Sequence, residues 1–413
     1  MAVTDQRDFA LELTQQLRSA GFEALWAGGC VRDQLLGREP QDFDVATNAR
    51  PDEIRQLFGK RRTLELGAAF GVISVLGRGA LHPIEVATFR SDGAYVDGRH
   101  PSTVEFTTAE QDAQRRDFTI NGLFLEPLTG EVIDYVGGQA DLAAGVVRAI
   151  GDPYARFRED KLRVLRGVRF ATTFGFEIEP ATFAAIHDMA DEVSVVSAER
   201  IGAEFQKLLT HRNRAEGVRL LQRTGLLRPL IPELSEIAAQ DAPVWQETLR
   251  VLEHLDTERF ATAFAALFSG LPSVDSRKTT AHCGRQFRLS NKEIDLAEWL
   301  LRQLPLVAEA EKLTWPRLQR VLIAAEVSEL LTLARALWGA NHAGVRKCNT
   351  LLQLPPAELN PEPLLTGNDL VRHGLEPGPH FADLLTAVRD AQLEGQIADS
   401  RQALELVDRL REL

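Results

Sequence analysis

Cysteine is scarce in this chain: Cys30, Cys283 and Cys348 are the three in 413 residues. They lie far apart, with no metal-ligand spacing, which argues against a disulfide framework or a zinc site. They read as reduced thiols of a cytoplasmic protein. Long apolar runs are also missing. None approaches the roughly 18 residues a helix needs to cross a bilayer, and Met1 to Arg18 is polar and amphipathic, without the core of a signal peptide. There is no Gly-x-x-x-x-Gly-Lys-Ser/Thr loop, so P-loop ATPase chemistry is not expected. No clear internal repeat and no low-complexity tract stands out. Nor is the chain basic: a net charge of −12 does not suggest a nucleic-acid binder. Global charge decides little, however, where basic residues cluster. Between Arg148 and Arg169 there are seven basic and three acidic side chains, a local net of +4. The alternative for that stretch is a salt-bridged helix surface.

What remains is ordinary globular composition, 44% hydrophobic and 26% charged. The length predicts two to four domains. Residues 1 to about 150 mix short apolar strands (Ala24–Ala27, Phe43–Ala46, Val72–Leu76, Ile84–Thr88, Val132–Tyr135) with helices (Asp5–Ser19, Val31–Leu36, Pro51–Phe58). From about 151 the strand signals vanish and helical periodicity dominates, in Tyr154–Phe174, Pro180–Met189, Ala198–Leu209, Arg212–Thr224 and later segments. The run from Leu354-Pro355-Pro356 to Pro361-Glu362-Pro363 reads as a linker before a last helical unit. The expected fold is an α/β head followed by a long all-α arm.

Two elements near the N-terminus carry most information. Asp42-Phe43-Asp44 follows Ala27-Gly28-Gly29-Cys30-Val31-Arg32-Asp33 by a dozen residues. In a strand, side chains at i and i+2 share a face, so the two carboxylates converge. Such a pair suits a hard divalent cation, most often Mg2+. The Gly28-Gly29 turn opens an expected helix, and glycine at a helix start lets a phosphate approach backbone N–H groups. Taken singly, each half has a plain alternative, a turn and a solvated loop. A third carboxylate, Glu85, alternates with Ile84 and Val86; facing Asp42 and Asp44 it would complete a cluster able to hold two metal ions, and otherwise it is an edge-strand residue facing water. Arg115-Arg116-Asp117-Phe118-Thr119-Ile120-Asn121-Gly122 offers arginines for phosphate, with Asp117 placed to accept from a ribose hydroxyl; the alternative is a capped helix start.

The sharpest element is Glu159-Asp160-Lys161-Leu162-Arg163, continuing through Arg166 and Arg169. On one helix, Asp160 and Arg163 would be neighbours, as would Arg163, Arg166 and Arg169. The plain reading is an i,i+3 salt bridge. The chemical reading is base selection. Cytosine and adenine each present an exocyclic amine beside a ring-nitrogen acceptor, matching an Asp acceptor and an Arg donor. Uracil and guanine present the reverse, and each unpaired buried polar group costs roughly 1–3 kcal/mol. Arg166 and Arg169 would meet the triphosphate or stack behind the base.

With these residues in place, the chain resembles class II tRNA nucleotidyltransferases and their relatives, the bacterial poly(A) polymerases. The resemblance rests on Gly28-Gly29-x-Val31-Arg32-Asp33, Asp42-x-Asp44, Glu85-Val86-x-Thr88-x-Arg90, Asp97-Gly98-Arg99-His100, Arg115 to Asn121 and Glu159-Asp160-x-x-Arg163, in this order. It covers residues 25 to about 180, and more loosely Pro377 to Val407. It implies an elongated molecule: a nucleotidyltransferase head with a mixed-sheet palm (1–150), a helical neck (151–210), a body (211–275) and a tRNA-gripping tail (276–413). It implies Mg2+ on Asp42 and Asp44; the nucleotide on Gly29, Arg32, Arg116, Arg166 and Arg169; and Asp160 and Arg163 as readers of the base. Tyr95 to Pro101 is similar to the family's flexible loop, needed by members that add the terminal A.

The expected activity is therefore addition of C, C and A to tRNA 3′ ends from CTP and ATP, with release of pyrophosphate. An A-adding enzyme or poly(A) polymerase is the alternative within the family, and a non-catalytic RNA-binding scaffold the alternative outside it. His187-Asp188, the sole His-Asp dipeptide, reads as a surface pair rather than a phosphohydrolase centre.

Overall fold

The computed structural model describes residues 5–67, 70–77, 79, 81–93, 103–240, 242–271 and 273–412. The chain forms two compact units, Met1–Ala242 and Pro243–Leu413.

The first unit is built on a mixed sheet. Its elements in order are α1 (Gln6–Ser19), β1 (Ala24–Ala27), α2 (Gly29–Leu35), β2 (Asp44–Thr47), α3 (Pro51–Phe58), β3 (Thr63–Gly67), β4 (Val72–Val75), β5 (Ile84–Thr88), β6 (Arg90–Asp92), β7 (Val104–Phe106), α4 (Ala109–Gln114), β8 (Leu123–Glu126), β9 (Glu131–Asp134) and α5 (Gly138–Ala144). Seven strands pair in the order β3-β4-β5-β2-β1-β8-β9. β2 and β5 are parallel, and every other pair in this sheet is antiparallel. All four residues of β1 are buried because helices cover both faces. On one side Trp26 donates through Nε1 to Thr14 of α1, 3.2 Å away. On the other, Leu25 and Ala27 pack with Ala46, Phe89, Phe124 and the small residues Ala109 and Ala113 of α4.

Helices then take over: α6 (Pro153–Glu159), α7 (Arg163–Phe174), α8 (Pro180–Asp188), α9 (Ala198–Thr210), α10 (Arg214–Arg223), α11 (Leu227–Leu230) and α12 (Pro232–Gln240). Two expectations need correcting here. Strands do not end at 151: β10 (Val146–Val147) pairs in parallel with β11 (Glu177–Ile178), each too short to show a period. The single helix expected over Tyr154–Phe174 is broken at Asp160, whose backbone is extended (φ −143°, ψ 106°). Asp competes with helix through its own side chain, and here its carboxylate accepts the Leu162 N–H while its carbonyl accepts the Arg163 N–H. Asp160 and Arg163 are therefore not helix neighbours; they flank the turn that starts α7.

Strands β3, β6, β7 and β8 were not evident from the sequence, and β8 is the serious omission because it lies beside β1 in the sheet. The Tyr95–Pro101 stretch, with Asp97 to His100, lies outside the described residues.

The second unit is helical, beginning with α13 (Ala242–His254), α14 (Phe260–Phe268), α15 (Ser273–Gln286) and α16 (Asn291–Ala308). Every residue of α14 is buried, and it packs against α15 and α16. The Pro-rich stretch is not a loose linker: it holds a turn of helix at Pro356–Leu359, and Gln319 donates to the Leu359 carbonyl and to Asn360 Oδ1, each at 3.1 Å. Beyond it Leu365, Leu370, Leu384, Val388, Ala403 and Val407 form a separate small core. No described helix is long and apolar enough to cross a membrane.

Phe118 ties the sheet to the helices of the first unit. It is fully buried, bridges to Ala149, and meets Phe157 and Phe170 at centroid distances of 6.4 and 5.7 Å. Phe118→Ala is expected to cost the first unit about 3–5 kcal/mol, read as a lower urea midpoint for its transition; an unchanged midpoint would contradict this packing role.

Candidate active site

Strand β1 ends at Ala27, and Gly28 turns the chain into α2 with φ +71°. A Cβ there would lie 3.0 Å from Arg116 Nη1. The positive φ favours glycine here, and a side chain would crowd the Arg116 guanidinium. The helix starts at Gly29, two residues earlier than the sequence suggested.

Asp44 opens β2, opposite Ala27 of β1 and opposite Glu85 of β5. Phe43 is buried edge-on against Trp26, ring centroids 4.9 Å apart. With Phe43 fixed inward, its neighbours Asp42 and Asp44 are left on the outside of the sheet end, as the alternation predicted. Burial first and the adjacent Glu85 next push the Asp44 carboxyl up to about 6, with Asp42 adding to this and Arg116 opposing it.

The cleft above this sheet end is open, with a volume of about 540 Å³. Of the twelve residues expected at the site, all but Asp42 and Glu85 line it. Asp44 therefore shares one cleft with Asp160 and Arg163. Asp42 and Glu85 flank Asp44 instead. Among the described residues, no three His, Cys, Asp or Glu side chains gather closely enough to hold a metal ion. The three-carboxylate cluster is thus not assembled as a ready-made cage.

The pairings differ from the simplest expectation. Asp160 does not pair with Arg163: its Oδ2 accepts from Arg200 Nη2 at 2.6 Å, and its Oδ1 accepts the Leu162 N–H at 3.1 Å. Arg163 Nη1 donates to Glu159 (2.6 Å) and to the Arg156 carbonyl (3.0 Å), and its Nη2 to the Arg115 carbonyl (3.2 Å). Asp117 is buried and surrounded by donors. Its Oδ1 accepts the Phe118 N–H and Asn121 Nδ2, and its Oδ2 accepts Arg166 Nε (2.9 Å) and Nη2 (2.6 Å). Although burial opposes ionisation, the Arg166 charge and these hydrogen bonds hold Asp117 well below the usual carboxylate range. Asp117 thus holds Arg166 while also lining the cleft.

Arg169 is buried, paired with Glu204, and its guanidinium lies 3.9 Å from the Phe170 ring centroid. Arg32 donates to Asn121 Oδ1 (2.6 Å) and to Asp33 (2.9 Å), and lies over Phe174 at 4.5 Å. Arg116 is anchored on Asp112 (2.9 Å) and the Asn121 carbonyl (3.2 Å).

The residues that sequence reasoning missed are these anchors: Asp112, Asn121, Glu159, Arg200 and Glu204. Asn121 and Glu159 stood inside quoted motifs, whereas Arg200 and Glu204 come from α9, where nothing but helical periodicity was visible. His187 and Asp188 sit exposed at the end of α8, where Tyr154 donates its hydroxyl to Asp188 (2.7 Å), which agrees with a surface pair. All three cysteines are free and buried.

A sheet end carrying carboxylates, beside a cleft walled with arginine, is the arrangement of a nucleotidyltransferase head. Residues 24–148 match the Poly A polymerase head domain family, and residues 175–237 match the family described as the probable RNA and SrmB-binding site of polymerase A. The chain is 32% identical to the CCA-adding enzyme of Levilactobacillus brevis, across 97% of both chains, and 33% identical to that of a Geobacillus species, across 96% of this chain and 95% of the other. The chain belongs to the CCA-adding enzyme family and is a nucleotidyltransferase. Among solved structures, the Bacillus stearothermophilus CCA-adding enzyme in complex with CTP superposes with a TM-score of 0.77 at 29% identity, covering 98% of this chain and 97% of that one. The Thermotoga maritima enzyme complexed with tRNA shares the fold, with a TM-score of 0.65 at 21% identity.

Nucleotidyltransferases of this kind generally use a divalent metal ion. The donor set fits one: Asp42 and Asp44 supply hard oxygens, and the carboxylates of Asp42 and Glu85 beside Asp44 add to burial in raising its carboxyl, a charge that a cation would neutralise.

The Asp117–Arg166 pair has a pH signature. A carboxyl held below its ordinary value adds stability that is complete above about pH 4 and fades as pH falls from there toward its folded value. Asp117→Asn is expected to destabilise the first unit at pH 7 by about 3 kcal/mol, since Arg166 loses its partner. It should also flatten the loss of stability below pH ~4. Thermal melts from acid to neutral pH check both, and a variant with the parent's acid limb would contradict the assignment.

Proposed function

We propose that this chain adds C, C and A in turn to the 3′ end of tRNA, taking CTP and ATP and releasing pyrophosphate. The observation that carries the reading is one cleft shared by Asp44, Asp160 and Arg163. Asp42 and Asp44 would hold Mg2+, which prefers one or two carboxylates plus substrate phosphates and so needs no complete protein cage. When bound, the ion lowers the pKa of the attacking hydroxyl and offsets the charge developing on the leaving group. Glu85 keeps the sheet end electronegative. Gly28 and Gly29 keep side chains out of the phosphates' path, and Arg32, Arg116, Arg166 and Arg169 supply the opposing charge.

Base choice falls to Asp160 and Arg163. A carboxylate has about four acceptor sites. The Asp160 side chain uses one on each oxygen, so it can still accept an exocyclic amine. Among the described residues, Arg163 commits three of its five N–H groups, leaving Nε–H and one Nη2–H for a ring nitrogen. Cytosine and adenine satisfy both; uracil and guanine set donor against donor and acceptor against acceptor. The head, neck, body and tail would occupy 1–150, 151–210, 211–275 and 276–413. The boundary between the compact units, at Ala242, falls inside the body. A cytoplasmic setting belongs to the same proposal and agrees with the free, buried cysteines.

The test is extension of tRNA transcripts ending before, within and after the CC, each NTP offered singly. C is expected on the two shorter ends and A on the CC end. Incorporation of A alone would replace the reading with an A-adding or poly(A)-synthesising enzyme. Asp44→Asn should lower the rate at least about a hundredfold, or ~2.7 kcal/mol; full activity in that variant would favour a non-catalytic scaffold. Arg163→Ala should erode the preference for CTP over UTP in kcat/KM by roughly ten- to a hundredfold.

A further inference from the structure

Among the described residues lining the cleft, Phe170 is the sole aromatic one. Three guanidiniums converge on its ring. Their central carbons lie 3.9 Å (Arg169), 5.2 Å (Arg166) and 5.5 Å (Arg32) from its centroid. All three are within the roughly 6 Å over which a ring's quadrupole attracts a cation. Arg166, Arg169 and the ring itself belong to α7, whereas Arg32 comes from α2, the helix that the Gly28 turn opens. One ring thus joins the glycine turn to the helix whose first residue is Arg163.

The ring is fixed from behind. Phe118 meets it at 5.7 Å and a steep 75°, and Phe174 stacks on it at 6.1 Å and 11°. Arg32 also lies over Phe174, at 4.5 Å, so it reaches both stacked rings.

Three like charges at one ring repel, and carboxylates offset only part of the cost. Asp33 pairs with Arg32, Asp117 with Arg166 and Glu204 with Arg169. Burial nevertheless pushes the Arg169 guanidinium below its ordinary value; Glu204 opposes this, and the Arg166 charge adds to it. A further carboxylate at position 170 would take up N–H groups that a bound phosphate needs. A π face attracts the same cations while presenting no lone pair to compete for those N–H groups.

We infer that Phe170 is a positioning residue for the triphosphate: its ring holds the guanidiniums of Arg32, Arg166 and Arg169 in register for the phosphates and does not act on the base. The inference rests on the proposed reading of these arginines as phosphate ligands. Because it acts through them, its effect is the same for CTP and ATP.

The experiment installs mono-, di- and trifluorinated phenylalanine at position 170 of the full-length protein. Fluorine withdraws charge from the face of the ring and leaves its size nearly unchanged, so the cation–π attraction falls while the packing stays. KM for CTP and KM for ATP should rise together with each fluorine, reaching roughly three- to thirtyfold at the trifluorinated ring. Inorganic tripolyphosphate, which has phosphates and no base, is the second probe: the concentration that half-inhibits C addition should rise by the same factor. Phe157 stands in the same aromatic cluster through Phe118 and has no guanidinium over its ring among the described residues. The same analogues there should leave all three values unchanged. Thermal melts check the fold, and if the trifluorinated protein melts early, the mono- and difluorinated rings carry the comparison. Fluorination at position 170 that leaves tripolyphosphate inhibition unchanged, or that shifts KM for one nucleotide alone, overturns the inference. Failure of tripolyphosphate to inhibit the parent protein, with Arg32→Gln and Arg169→Gln at the parental KM, overturns instead the reading of the arginines as phosphate ligands.

Discussion

Seven arginines share the wall of one cleft, and their mutual repulsion is the constraint on which the first unit is organised. A buried guanidinium needs a partner, and an unpartnered buried charge costs several kcal/mol. Each arginine is accordingly tied back from behind. Asp112 holds Arg115 and Arg116, Asp117 holds Arg166, Glu159 holds Arg163, and Glu204 holds Arg169. Arg200 in turn holds Asp160. The carboxylates come from α4, the turn before β8, the end of α6, and α9. Site geometry and domain packing are therefore one problem: α9 cannot shift without releasing Arg166, Arg169 and Asp160 together.

This explains which parts were legible in the sequence. Asp42, Asp44 and the two glycines act through local geometry, alternation in a strand and a tight turn, and local geometry leaves a local pattern. Strands β1 and β5 and helix α3 were readable to the residue for the same reason. The pairings were not readable, because the partner of Asp160 is forty residues away on α9 and that of Arg166 forty-nine residues back. An i,i+3 spacing invites a salt bridge between Asp160 and Arg163, yet Asp160 ends one helix and begins the next. The resulting turn, not a shared helix face, brings both side chains to the cleft. Strand β8 escaped notice because Leu123 to Glu126 is four residues long, fully buried, and so lacks the polar–apolar alternation that marks a half-exposed strand.

The charge balance also changes meaning once the chain is folded. A net charge of −12 reads as unsuited to nucleic acid, but many carboxylates are consumed in ion pairs, and cationic side chains cluster at particular places. The wall of the cleft is one such place: seven arginines and three aspartates line it. What a polyanion meets is the local field at these surfaces, because charges more than about 8–10 Å away are screened at physiological salt.

In the proposed reading, a rigid selector must serve two bases of different size. Hydrogen bonding alone does not distinguish cytosine from adenine, since both offer the same amine-and-acceptor edge to Asp160 and Arg163. What the anchored pair achieves is rejection of uracil and guanine, and rejection depends on the pair not turning to suit them. Arg200 and the Leu162 N–H fix Asp160, while Glu159 and two backbone carbonyls fix Arg163. A freely rotating arginine would find an acceptor on any base. Tolerance of size must then come from the space around the selector, and the cleft of about 540 Å³ that Asp160 and Arg163 line supplies it. Discrimination against two bases by rigidity, and acceptance of two others by room, are separate properties supplied by separate parts of the structure.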